Sequence, residues 1–583
     1  MKRTIKITVA LGLSMGMLLY ACKKDFLNKA PLGTLDPSTL ANSAGVSKTL
    51  IGAYALINGF GSPGEGYGTG PSNWIFGSVA ADDAYKGSDA GDQPDIGSIE
   101  TYSANSANSF FNDRWRFELG AIQRTNDVLR VMALATDMSA AEKKSTEAEA
   151  RFLRAYYHFE LKRVFNKIPI VDESVTYASG NLLVPNDKDA WPFIEADMKF
   201  AVENLPAVQP AIGRVNSWAA KAFLARIYLY EHKFQEAKPI FADVIANGTT
   251  SSGAKYDLVA FSANFNAATK NSAEAVFSAQ YAVNDNSGGN SGSRSEVLNY
   301  PSNGGPGGCC GFFQPSQSLV NSYRVDANGL PFLDTFNDVD VKSDQGIASD
   351  KPFTPETAAL DPRLDETVGR RGIPYLDWGL HPGLNWVRDQ GNGGPYAPIK
   401  NVYYKSQQAS LTDKSFWSSG ISANNYTIIR FADVLLESAE VETELGNLAG
   451  ALALVNRVRA RAANPTGWVK TYVDNSDPSK GFTNTPAANY QIGLYPSFPS
   501  KEYAQKAVRF ERKLELAMEG QRFFDLVRYG TADVELNSYI AKEKSRRLYF
   551  QNSSFVKGKN EYFAIPLNQI DLAKGTLTQN PGY

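Results

Sequence analysis

One spacing of small and apolar residues occurs twice in this chain, in segments far apart. From Ala225 it runs through Tyr228, Ala237, Phe241 and Val244; from Ala439 it runs through Glu442, Ala451, Val455 and Val458. The steps are 3, 9, 4 and 3 in both copies. Steps of 3 and 4 keep side chains on one helix face, and the step of 9 spans a turn. That turn falls near His232-Lys233 in the first copy and at Leu445-Gly446-Asn447 in the second. Small residues at fixed places let two antiparallel helices approach closely, while larger ones fill the groove between pairs.

This is the tetratricopeptide spacing of stacked helix pairs, with Glu442 standing where an aromatic is usual. It predicts an all-α dominated fold. Two further segments fit it. Residues 147–165 place Ala148, Phe152, Ala155 and Phe159 on one face, and residues 503–529 carry Ala507, Phe510, Leu514, Ala517, Phe523 and Leu526. Their aromatic stripes read as core. Between the two copies the composition changes: residues 284–315 hold eight Gly, and 316–424 are rich in Pro, Asp, Asn and aromatics. A loop-rich excursion of that length inside a helical scaffold points to function, as does the loop-like segment 59–109. The expected division is 1–21, a signal peptide; 22–283, an N-terminal helical region; 284–424, the excursion; and 425–583, a C-terminal helical region.

The N-terminus is an export signal. Lys2, Arg3 and Lys6 precede an uncharged run from Ile7 to Ala21, ending Leu18-Leu19-Tyr20-Ala21-Cys22. About 15 apolar residues is short for a membrane-spanning helix, which needs roughly 20. Leu-x-Ala-Cys looks like a bacterial lipobox, in which Cys22 becomes the lipid-bearing first residue. Lys23-Lys24-Asp25 resembles the charged tag of surface-exported lipoproteins.

Charge and motif content exclude several functions. With 59 Lys+Arg against 61 Asp+Glu, the chain lacks the basic excess of a nucleic-acid binder. Three His and three Cys leave little material for a metal site, and none is expected. There is no His-Glu-x-x-His, Cys-x-x-Cys, Gly-x-Ser-x-Gly or phosphate-cradling Gly-Lys-Ser/Thr loop. Acidic residues are plentiful, but no cluster singles out the carboxylate pair of a glycoside hydrolase. Catalytic residues and cofactors are therefore not expected. Cys309-Cys310, in a Gly-rich loop, form either a vicinal disulfide or two free thiols.

In order along the chain stand Asp25-Phe26-Leu27, the helix from Glu147 through Arg151-Phe152-Leu153-Arg154-Ala155 to Phe159, and Ile429-Arg430-Phe431-Ala432-Asp433-Val434 leading into Asn456-Arg457-Val458-Arg459. Glu511-Arg512-Lys513, Glu519-Gly520-Gln521-Arg522-Phe523-Phe524-Asp525-Leu526, Arg528-Tyr529-Gly530 and the closing Asn580-Pro581-Gly582-Tyr583 follow. Together they resemble the SusD/RagB family of surface nutrient-binding lipoproteins over nearly the whole length. The resemblance implies a platform of four tetratricopeptide-like helix pairs, a lipid anchor in the outer membrane, and capture of a nutrient, usually an oligosaccharide. It also implies a partner, a SusC-like TonB-dependent transporter, and no enzymatic activity.

In that family ligands sit on loops opposite the helices, which by position brings in residues 82–88 and 300–313. Sugar rings offer flat C–H faces to Trp or Tyr, and their hydroxyls need paired donors and acceptors. Tyr85 with Asp82, Asp83 and Lys86 has that mixture, as do Arg363, Trp378 and Trp386. Phe312 and Phe313 are expected to form an aromatic wall. Each has a structural alternative: Asp361–Arg363 as a salt-bridged turn, and the two Trp as packing onto the helices. A peptide or glycopeptide ligand, a glycoside hydrolase and a protein-interaction lipoprotein are the competing functions.

Overall fold

The computed structural model describes residues 37–59, 66–416 and 418–583. Segment 1–36 lies outside the described residues, and with it the expected signal peptide and Cys22. The longer helices are α1 (Ser43–Ala55), α2 (Pro94–Glu100), α3 (Ser109–Leu134), α4 (Ala140–Phe165), α5 (Trp191–Asn204), α6 (Ser217–Tyr230), α7 (Phe234–Asn247), α8 (Phe431–Glu444), α9 (Leu448–Ala462), α10 (Lys501–Glu515), α11 (Arg522–Arg528) and α12 (Ala532–Arg546). Helix dominates, as the spacing predicts. No helix among the described residues is long and apolar enough to cross a bilayer.

Local sequence sets the helix ends. α4 opens on a capping box: the Glu142 amide donates to Ser139 Oγ while the Glu142 carboxylate accepts from the Ser139 amide at 2.8 Å. Lys162 and Arg163 stand in its last turn, where they complement the helix dipole. From α3 to α9 each helix packs on the next in sequence, and α10 lies against α8 and α9. Ala225, Tyr228, Ala237, Phe241 and Val244 are buried, as are Ala439, Ala451, Val455 and Val458. Glu442 has a different task. Its carboxylate accepts from Lys238 Nζ of α7 at 2.8 Å, so the exception to the spacing is the ion pair across the α7–α8 seam.

The segment 503–529, expected as one helical run, is two helices. Met518 and Gly520 take φ of 61° and 64°, which breaks the helix between Glu515 and Arg522. A Cβ on Gly520 would come within 1.8 Å of the Ser72 carbonyl, so only glycine lets the N-terminal loop approach this turn.

Short antiparallel ribbons tie the loops down: β1 (Ala84–Gly87) with β3 (Phe312–Pro315), β2 (Ala275–Ala279) with β6 (Tyr426–Arg430), β4 (Val368–Gly369) with β5 (Ala397–Pro398), and β7 (Lys470–Tyr472) with β8 (Phe482–Pro486). The β2–β6 pair brings the two ends of the excursion together. Buried charges fasten it to α10. Arg363 Nη1 reaches Glu511 at 2.7 Å and Glu515 at 2.9 Å, and Lys400 Nζ reaches Glu519 at 2.6 Å. Charges this deep persist only when paired, because desolvating each alone costs several kcal/mol.

Candidate functional site

The positions expected to hold a ligand fall into two groups. Residues 82–88 and 312–315 do come together, through the β1–β3 register that sets Tyr85 opposite Gln314 and Gly87 opposite Phe312. They meet in the interior. Tyr85 is 0% exposed, and its hydroxyl donates to Glu543 at 2.7 Å and accepts from the Gln317 amide at 3.2 Å. Asp82 accepts from Lys513 at 2.7 Å and from Arg522 at 2.8 Å. Burial works to raise its carboxyl, yet those two cations hold it well below the usual range. Burial, with the charge of Asp82 beside it, pushes Asp83 up to about 7. The Lys86 ammonium donates to the Asp89 and Asp92 carbonyls and sits 5.6 Å from the Phe312 ring centre.

Phe312 and Phe313 pack on buried Trp74, with ring centres 6.2 and 5.7 Å away. A cavity of about 50 Å³ adjoins Phe313, its walls formed by Trp74, Phe265 and Phe313 together with Lys400 and Glu519. Arg363 is 1% exposed and bound by Asp361, Glu511 and Glu515. Tyr85, Phe312, Asp82, Asp83, Lys86 and Arg363 are thus buried and engaged by long-range partners rather than facing solvent, and Phe313 borders the cavity.

Trp378 and Trp386 are different. Both are half-buried at the edge of a cluster of Tyr300, Tyr375 and Tyr403. The Trp378 indole donates to the Tyr403 carbonyl at 2.9 Å, and Trp386 stands edge-on to Tyr375 at 5.5 Å. Beside them Cys309 and Cys310 are joined by a disulfide, the first of the two alternatives left by the sequence.

The open concavity lies elsewhere, between the excursion and the β7–β8 hairpin. One lobe of about 300 Å³ is lined by Leu376, Tyr404, Trp468 and Phe482, with Glu366 at its base. A second lobe of about 210 Å³ shares Glu366 and Trp468 and extends to Arg461 and Phe261. Leu376, two residues from Trp378, puts that stretch of the excursion at the groove wall.

Trp468 is half-buried and held firmly. Its indole N–H donates to the Ala462 carbonyl at 2.9 Å, and its ring meets Tyr490 edge-on at 5.8 Å. Tyr490 in turn donates to Asp365 at 2.6 Å, and Asp365 accepts two bonds from Arg370 at 2.6 and 2.8 Å. Phe482 across the hairpin is 44% exposed. Aromatic surface, part of it solvated, beside a carboxyl with one unbonded oxygen is the composition that suits a ring with apolar faces and polar edges. Trp468 sits in Asn464-Pro465-Thr466-Gly467-Trp468, a turn-rich setting like the one that drew attention to Tyr85.

Among the described residues no group of three or more His, Cys, Asp and Glu could hold a metal ion. The fold and the groove define a class: a helical stack carrying a groove on its loops. The chain belongs to the SusD family, whose model matches residues 273–583. A second family model, described as starch-binding associating with the outer membrane, matches residues 78–229.

The chain is similar to SusD-like protein P25 of Formosa agariphila, with 24% identity and 88% of each chain covered. It is also similar to that organism's SusD-like protein P2, at 24% identity over 85% of this chain and 86% of the other. Among solved structures, a laminarin-binding SusD-like protein superposes with a TM-score of 0.64 at 21% identity, covering 93% of this chain and all of the other. Surface glycan-binding protein A of Bacteroides thetaiotaomicron, in complex with laminarihexaose, gives 0.64 at 19% identity over 92% and 99%. At these identities the likeness is one of fold.

Proposed function

We propose that this protein captures an oligosaccharide at the cell surface and hands it to an outer-membrane transporter of the SusC-like, TonB-dependent kind. The observation that carries the binding half is the two-lobed groove built around Trp468. A fixed indole flanked by Tyr404 and Phe482 offers stacking planes, and the two lobes meet at Glu366 and Trp468. Solved relatives whose titles name laminarin and laminarihexaose support a carbohydrate as the ligand class. The delivery half, the lipid anchor on Cys22 and the outer-membrane location follow from family membership. The starch-binding, outer-membrane description of the second matching family model supports the location. In this reading Trp378 contributes a further stacking surface where its segment reaches the groove wall.

The test is isothermal titration calorimetry of residues 23–583 against laminarihexaose, maltohexaose, mannohexaose and xylohexaose. A saturable isotherm with at least one of these is expected, weakened tenfold or more by Trp468→Ala with little change in melting temperature. Continuing heat after each injection would mean turnover and would overturn the binding reading. Wild-type affinity in the Trp468 variant would instead remove the groove from the reading.

A further inference from the structure

Two polar atoms at the junction of the lobes have no partner. Glu366 Oε2 and Arg461 Nε are both buried and unbonded, and both residues line the second lobe. The rest of the Arg461 guanidinium is committed: Nη1 donates to the Val259 carbonyl at 3.1 Å and faces Glu274, and Nη2 is bound to Glu515. An orphaned buried donor or acceptor costs roughly 1–3 kcal/mol, so atoms left open beside a groove call for a guest that completes them.

Resting on the groove reading above, we propose that Glu366 and Arg461 form a polar pair that reads adjacent hydroxyls of an uncharged sugar ring seated against Trp468. The guanidinium Nε–H donates to one hydroxyl oxygen and the Glu366 carboxyl pairs with the next. The uncharged class follows from the fate of the cations. Arg461 is held by Glu274 and Glu515, Arg363 by Asp361, Glu511 and Glu515, and Lys470 donates to the Pro465 carbonyl. Among the described lining residues that leaves no open guanidinium fork for a sulfate or uronate.

Burial pushes Glu366 up to about 8, against the nearby charges of Arg461 and Lys400 and with Glu515 adding to the rise. Tyr404, Tyr490, Asp365 and Lys470 are other titratable groups around it. At neutral pH the carboxyl therefore keeps its proton and donates to the ligand.

The experiment is calorimetry of wild type, Glu366→Gln and Glu366→Leu with the four neutral hexasaccharides and a chondroitin sulfate hexasaccharide. Each is titrated at pH 6, 7 and 9, with melting temperatures recorded. Expected are binding of a neutral probe only, affinity in Glu366→Gln within about threefold of wild type, and a loss of tenfold or more in Glu366→Leu. Wild-type affinity should fall between pH 7 and 9, and that of Glu366→Gln should stay flat. The flat Gln profile carries the test even if the Leu variant unfolds. Preferred binding of the sulfated probe, or identical pH profiles in wild type and Glu366→Gln, would overturn the pair while leaving the groove standing. If Trp468→Ala binds normally, or no probe binds at all, the groove reading falls and the pair falls with it.

Discussion

Removing the ring of Tyr85 empties a site with no access to solvent and strands the Glu543 carboxylate, which accepts from its hydroxyl. Truncating a large buried aromatic costs roughly 3–5 kcal/mol. Tyr85→Ala is therefore expected to lower unfolding stability in urea by about that amount, while the folded fraction binds oligosaccharide as wild type does. A variant as stable as wild type with weakened binding would return Tyr85 to the ligand site. The segment 82–88 looked solvent-facing because it is polar, Gly-bounded and without helical period. What the chain hides is its partners: Lys513, Arg522, Gln317 and Glu543 are hundreds of residues away, and nothing local announces them. Trp468 shows the converse. Its turn-rich setting is visible in the sequence, but it lies between helical motifs and carries no period of its own that sets it apart.

At the scale of elements the helical repeat was the most legible feature, because small residues at fixed steps have a single geometric reading. The capping box at Ser139 and Glu142 was equally available and sets the start of α4. The break between α10 and α11 was not, since apolar spacing continues across it. It becomes visible only when the Ser72 carbonyl is placed against Gly520. That contact makes a sharp forecast. Gly520→Ala adds a Cβ where 1.8 Å is available and holds it at positive φ, so it is expected to destabilise by more than about 1 kcal/mol. Gly530→Ala, also at positive φ (69°) but with open space around its Cβ, serves as the control and should cost less. Equal melting temperatures for the two variants would show that the N-terminal loop gives way.

For the whole molecule the buried carboxyls set a pH dependence. Burial pushes Glu100, Glu118 and Glu366 up to about 8, and Asp83, Glu296 and Glu437 up to about 7. A carboxyl whose pKa is raised on folding binds more protons in the native state, so its contribution is present at low pH and is lost as pH rises through the folded value. His158 and His381 oppose this only below about 6.5, the ordinary histidine value, because burial lowers both to about 3. Burial lowers Lys400 to about 8, so its ammonium opposes the trend from there upward and the carboxyls dominate between pH 6.5 and 8. The melting temperature is expected to fall steadily across that range in low-salt buffer; a rise would mean these acids are ionised in the folded protein.

The ribbon that pairs Ala279 with Tyr426 has a consequence for how such a protein diversifies. The chain leaves the helical stack and returns to it at the same place, so whatever is strung between those two residues closes its own loop and leaves the register of α7 on α8 untouched. Side chains cross from the insert into the stack at many points, among them the cations Arg363, reaching Glu511 and Glu515, and Lys400, reaching Glu519, and the acids Asp334, Asp338 and Asp340, which meet Lys506, Lys542 and Arg546. A graft that carries those charges and ends in the same two strands inherits a ready-made chassis. Lineages can therefore exchange what they recognise without redesigning what they stand on.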